Sequence, residues 1–175
     1  MAVGPIPIGN NNQIPDIGLP ISPSKKVPVL ADIGTLKIDS LGISAPIVFN
    51  TGSDLKNIYN NLENGVVHYS QTPKPGQNGT SVLLGHSSAY PWYKGQYGSV
   101  FALLGKLKPG DTLRIEYTNG PTFTFLIKQS LVFSPFTDDA KLAEIEKTSG
   151  SSVILVSCWP VGTNYKRIAV QAELI

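Results

Sequence analysis

Hydrophobic and polar positions along this chain alternate over short distances, and the alternation keeps breaking at glycine, proline and asparagine. Stretches rich in Val, Ile, Leu, Thr and Tyr near residues 34–39, 43–48, 81–86, 111–118, 121–132, 152–158 and 167–174 read as strands. The last has a clean period of two. It places Ile168, Val170, Ala172 and Leu174 on one face and Arg167, Gln171 and Glu173 on the other, the pattern of a half-buried strand. The stretch before it, Val153-Ile154-Leu155-Val156, is apolar throughout and reads as a buried strand ending at Ser157-Cys158-Trp159-Pro160. Tyr117-Thr118-Asn119-Gly120-Pro121 is the clearest hairpin signal, because Asn-Gly supplies the positive φ angles of a tight turn. Two segments have helical spacing. Residues 54–62 follow a Ser53 cap, and in residues 138–147 Leu142 and Ile145 can pack inward while Asp139, Lys141, Glu144 and Glu146 face water. The pattern predicts a mainly β protein built as a barrel.

The first thirty residues break this pattern. Pro5, Pro7, Pro15, Pro20, Pro23 and Pro28 stand among Gly, Asn and Ser, with no charged leader and no long apolar run. Residues 1–30 therefore read as an extended proline-rich linker or arm rather than a signal peptide or membrane span, and residues 31–175 as one domain. Charge adds little. A formal net charge of +2 without a basic cluster gives no argument for nucleic-acid binding.

Candidate chemistry narrows to very few side chains. Cys158 is the one cysteine in the chain, so no internal disulfide can form. Its place where an apolar run meets Ser, Trp and Pro suggests a strand mouth, where a thiol can be a nucleophile rather than a small core hydrophobe. A loop of ordinary length to the next strand would return Arg167 to its side. The chain has two histidines. His86 closes the apolar run Ser81-Val82-Leu83-Leu84-Gly85, mirroring Cys158, while His68 sits in Gly65-Val66-Val67-His68-Tyr69. The aromatic stretch after His86, with Tyr90, Trp92, Tyr93 and Tyr97, can form a substrate wall or simply cover the barrel mouth. One cysteine and two separated histidines cannot assemble an ordinary zinc site, and residues 71–80 carry no carboxylate for calcium, so no metal or cofactor is expected.

A histidine after Leu-Gly at a strand end, a cysteine closing an aliphatic strand and an arginine beginning the next together resemble the sortases, cysteine transpeptidases of bacterial surfaces. The resemblance spans residues 31–175. It includes the Ile43-Ser44-Ala45-Pro46-Ile47-Val48 strand, the approach to His86 through Pro73, Pro75 and Gly76, the segment from Phe101 to Gly110-Asp111, and Cys158-Trp159-Pro160 with Gly162-Thr163. Where the family commonly has Thr-Leu-x-Thr-Cys, this chain has Ile154-Leu155-Val156-Ser157-Cys158.

The resemblance implies a closed barrel of about eight strands with two or more short helices. It implies catalysis by His86, Cys158 and Arg167, with Ser157, Trp159, His68, Tyr90 and Trp92 as substrate-binding candidates. It further implies cleavage of a Leu-Pro-x-Thr-Gly-like sorting signal on surface proteins through a thioacyl enzyme, and transfer to an amine from cell-wall peptide or a pilin lysine. Sortases usually carry an N-terminal membrane anchor, so the chain reads as the soluble, extracytoplasmic part of an anchored cell-surface protein. Two other readings stand beside this one: a hydrolytic cysteine peptidase on the same scaffold, and a non-catalytic surface-binding module with a structural thiol.

Overall fold

The structure, a computed structural model, describes residues 29–89, 93, 95–136, 143, 145 and 148–175. Eight strands close into one barrel. They are β1 (Ile33–Ile38), β2 (Ile43–Val48), β3 (Val66–His68), β4 (Gly79–Leu84), β5 (Thr112–Tyr117), β6 (Thr122–Phe133), β7 (Ser151–Trp159) and β8 (Lys166–Leu174). Their order around the barrel is β1-β2-β3-β4-β7-β8-β6-β5. Two neighbouring pairs, β2 with β3 and β4 with β7, run parallel, and the other strand pairs described run antiparallel.

Period-two alternation explains the interior. Leu36, Ile38, Ala45, Ile47, Leu113, Ile115, Phe125, Ile127, Val153, Leu155, Val170 and Ala172, taken from alternate strand positions, form one buried cluster. Closure leaves no sheet edge to pair with another chain. Two smaller apolar clusters lie on the outer face of the sheet. Helix α1 (Leu55–Asn61) sets Ile58 against Val67, and Ile145 packs with Phe133, Ile154 and Ala169.

Seven strands fall within about two residues of their expected positions, and the differences have local causes. β3 is the unexpected strand. Its three residues are all buried, so no alternation marks it. Gly65 just before it has φ 150°, and a Cβ there would collide with the Pro46 carbonyl on β2, so a side chain would block the parallel approach. Helix α1 is capped by Asp54, which accepts from the Asn57 N–H at 3.1 Å, rather than by Ser53. In the hairpin turn Asn119 alone supplies a positive φ, at 54°. Most of the second expected helix, residues 138–147, lies outside the described residues, although Ala143 and Ile145 are helical and Ile145 is buried.

On β8 the expectation for Gln171 and Leu174 is reversed. Gln171 is buried because a second layer, at Ile145, covers the outer face of the strand there, while Leu174, the last residue of β8, is exposed. Gln171 is satisfied there, donating to the Ile145 carbonyl and accepting from Gln129 Nε2 at 2.7 Å.

Candidate active site

Three neighbouring strands build the site. β7 and β8 pair in antiparallel register with Cys158 opposite Arg167, so both side chains leave the same, outer face of the barrel. β4 runs parallel to β7 with Leu84 opposite Val156. His86 lies two residues past the end of β4, just as Cys158 lies two residues past Val156. Continuing the ladder by one step therefore sets His86, Cys158 and Arg167 in one row across three strands.

Although His86 stands beyond its strand, the backbone around it is pinned. The Gly85 N–H donates to Val156 O at 3.1 Å, Ser157 Oγ donates to Gly85 O at 2.7 Å, and the Phe101 N–H donates to His86 O at 2.8 Å. The Phe101 ring also lies where a Cβ on Gly85 would have to go. We expect Gly85→Ala to cost about 1–3 kcal/mol, because the fully buried ring has nowhere to retreat and the extra methyl overpacks the core. Denaturant unfolding checks the cost; unchanged stability would show that the ring yields freely.

The row opens into a groove of about 490 Å³. His86, Cys158 and Arg167 all line it, together with Tyr59 from α1, Tyr165 from the β7–β8 loop, and the polar groups of Ser87, Ser88, Thr163 and Asn164. Cys158 is a half-buried free thiol. Arg167 spends Nη1 on its own loop, donating to Asn164 O at 3.0 Å and Lys166 O at 2.9 Å. Among the described residues its Nε and Nη2 make no hydrogen bond to protein, which leaves the rest of the fork for a ligand.

Burial pushes the His86 imidazole below its ordinary pKa, an effect partly opposed by the negative charge of Glu63. The shift favours the neutral imidazole, which is able to accept a proton. Burial also lowers His68, against the hydrogen bond to the Pro73 carbonyl. Both shifts make native protons harder to add than unfolded ones. Stability contributed by these two groups is complete above about pH 6.5, where the unfolded histidines are also neutral, and declines as pH falls from there toward the native values. The thermal midpoint should thus begin to drop below about pH 6.5, and His68→Gln should flatten that drop. An unchanged slope in the variant would remove His68 from the acid sensitivity.

The expected substrate-binding residues divide. Ser157, Trp159 and His68 do not line this groove. Strand alternation turns Ser157 and Trp159 to the opposite face from Cys158. Ser157 becomes a buried strut to Gly85, and Trp159 packs on the barrel core, its ring filling the space over Gly105. His68 is buried, bonded through Nε2 to the Pro73 carbonyl at 3.0 Å and tilted against Phe49. Tyr90 and Trp92 lie outside the described residues. Tyr59 and Tyr165 line the groove without having been singled out in the sequence. They are 60% and 74% exposed, and sequence alone carries no sign that either faces a groove.

Known proteins share this chain's sequence and fold. The family model described as Sortase domain matches residues 36–175. Sortase D of Bacillus subtilis (strain 168) is 30% identical over 145 residues, which cover 81% of this chain and 63% of the relative's length. Among solved structures, sortase C-1 from Actinomyces oris superposes with a TM-score of 0.65 at 27% identity, covering 83% of this chain and 75% of that one. Sortase C-3 from Streptococcus pneumoniae does so with a TM-score of 0.63 at 29% identity, over 83% of this chain and 64% of that one.

Proposed function

The chain belongs to the sortase family, and from that premise we propose that it is a cysteine transpeptidase in which Cys158, His86 and Arg167 do the chemistry. The observation that carries this reading is their row across the ends of β4, β7 and β8, opening into one groove.

The roles follow from the groups. Neutral His86 takes the thiol proton, and the Cys158 thiolate adds to the carbonyl carbon of a substrate peptide bond. Negative charge then grows on the carbonyl oxygen, and the unused donors of the Arg167 fork suit that oxyanion. The C–N bond breaks as His86, now an imidazolium, returns its proton to the departing amine, which could not leave as an anion. A thioester remains on Cys158. An incoming amine gives its proton to His86 and attacks the thioester, forming a new amide and freeing the thiol.

The family resemblance supports a Leu-Pro-x-Thr-Gly-like sorting signal cut after threonine as the donor. It likewise supports an amine from cell-wall peptide or a pilin lysine as acceptor, and an extracytoplasmic place at the cell surface. On this reading residues 31–175 are the catalytic domain and residues 1–30 an arm or linker outside it. Among the described residues, no helix is long and apolar enough to cross a membrane.

The test is incubation with a library of sorting-signal peptides, with and without amine acceptors, read by mass spectrometry. Amide products formed at the expense of free acid are expected. Free acid alone, at a rate indifferent to added amine, would make the protein a hydrolytic peptidase. No cleavage of any peptide, together with resistance of Cys158 to alkylation, would leave a binding module.

A further inference from the structure

A base that must take a proton and later return it needs a fixed orientation, and in hydrogen-bonded triads a third group holds it. Among the described residues no side chain or carbonyl hydrogen-bonds the His86 ring nitrogens, whereas His68 is fixed by the Pro73 carbonyl. Two tyrosine rings stand against the imidazole instead. Tyr59, from α1, meets it edge-on at 5.6 Å between centroids and 82° between planes. Tyr93, from the loop after β4, meets it at 5.8 Å and 77°.

The second ring is itself held. Tyr93 Oη donates to the Leu62 carbonyl at the end of α1, at 3.5 Å. Its ring also fills the space over Gly95 and Gly98, where a Cβ would collide with it. Tyr93 is thus tied back to the helix that supplies the other ring, so the two rings against the imidazole come from elements joined to each other.

We propose that Tyr59 and Tyr93 are positioning residues: their rings clamp the His86 imidazole and hold its orientation toward Cys158, in place of a hydrogen-bonded orienting group. This rests on the assignment of His86 as the base. Both rings pack on an imidazole whose withdrawal from water is the main cause of its lowered proton affinity. Among the described residues, the charged and titratable groups around the imidazole are Glu63 just past α1, Tyr59, Tyr93, Tyr165 across the groove, Cys158 on β7 and Arg167 on β8. Glu63 opposes the lowering, so the shift does not come from it.

The test compares Tyr59→Phe, Tyr59→Leu, Tyr93→Phe and Tyr93→Leu. Peptide turnover is measured alongside NMR titration of the imidazole protons, the His86 signal being the one lost in His86→Gln. The phenylalanine variants keep the rings, and Tyr93→Phe gives up only the long 3.5 Å bond to Leu62 O while keeping the packing over Gly95 and Gly98, so both should keep kcat, within about threefold, and the titration midpoint. The leucine variants admit water and free the imidazole. Their kcat should fall about tenfold to a hundredfold with KM little changed, as misplacement of a reacting group does. Their His86 midpoint should rise toward the ordinary value of about 6.5. Tyr59 is largely exposed, so Tyr59→Leu should fold even if Tyr93→Leu does not. Parent-like kcat and titration in a folded Tyr59→Leu would overturn the clamp. So would a loss confined to KM, or phenylalanine variants as impaired as the leucine ones. If the parent itself turned over no peptide, the functional assignment would fall, and the titration would still decide whether the rings hold the imidazole.

Discussion

Cys158→Ala should abolish turnover while leaving the barrel folded. The thiol is the one atom in the groove able to form the thioester, and removing the nucleophile of a unit that acts together costs about 10⁴-fold or more. The structural cost should be small. Cys158 is half-buried at the end of β7, outside the closed core cluster, and its replacement keeps Cβ and the ladder register opposite Arg167. A change within about 1 kcal/mol is expected, in the range of ordinary substitutions away from a packed core. Thermal unfolding and peptide cleavage of the same preparation separate the two effects. Comparable cleavage by the variant would remove Cys158 from the chemistry. Collapse of the thermal midpoint would make the thiol structural.

Arg167→Lys should lower kcat by about a hundredfold to a thousandfold, or roughly 3–4 kcal/mol of transition-state stabilisation. The substitution keeps the positive charge but loses the planar fork. In the parent, Nη1 already serves Asn164 O and Lys166 O, so a second set of donors remains for the oxyanion. A lysine ammonium is a compact, strongly hydrated point charge that cannot bind the loop carbonyls and a ligand in that fixed geometry. The loss should fall on turnover. Alkylation of Cys158 by a small reagent should stay within a few-fold of the parent, because the thiol and the neighbouring His86 are unchanged. This pairing separates oxyanion stabilisation from thiol activation. A solvent-facing structural arginine would instead change stability by about 0.5 kcal/mol or less and leave chemistry alone. Unchanged kcat in a folded Arg167→Lys variant would leave Cys158 and His86 as an unassisted pair.

The chain by itself determined what local periodicity can carry. The apolar run into Cys158, the alternation after it and the ordinary loop between them were enough to predict a strand pair that returns Arg167 to the cysteine, and the register sets those two residues opposite each other. Such a hairpin is closed by a short loop, so its pairing is written in contiguous residues. The barrel class was legible for the same reason, strand by strand. Which partner each strand takes was not. The parallel pairing of β4 with β7 is fixed by contacts 72 residues apart along the chain, such as Ser157 to Gly85, and only that pairing brings His86 into the row.

Facing was likewise a tertiary decision. Alternation says that Ser157 and Trp159 share a side and Cys158 takes the other, but not which side is the groove; the barrel core claimed Ser157 and Trp159 and left Cys158 outside. Gln171 followed the polar side of its strand in sequence and was buried because another layer covers that side. Tyr59 carried no mark at all, since an aromatic on a short helix acquires a role only when the fold sets a histidine against its ring. Period-two patterning specifies neighbours on one face of one strand. Long-range pairing and the layer laid over each face decide what that face meets.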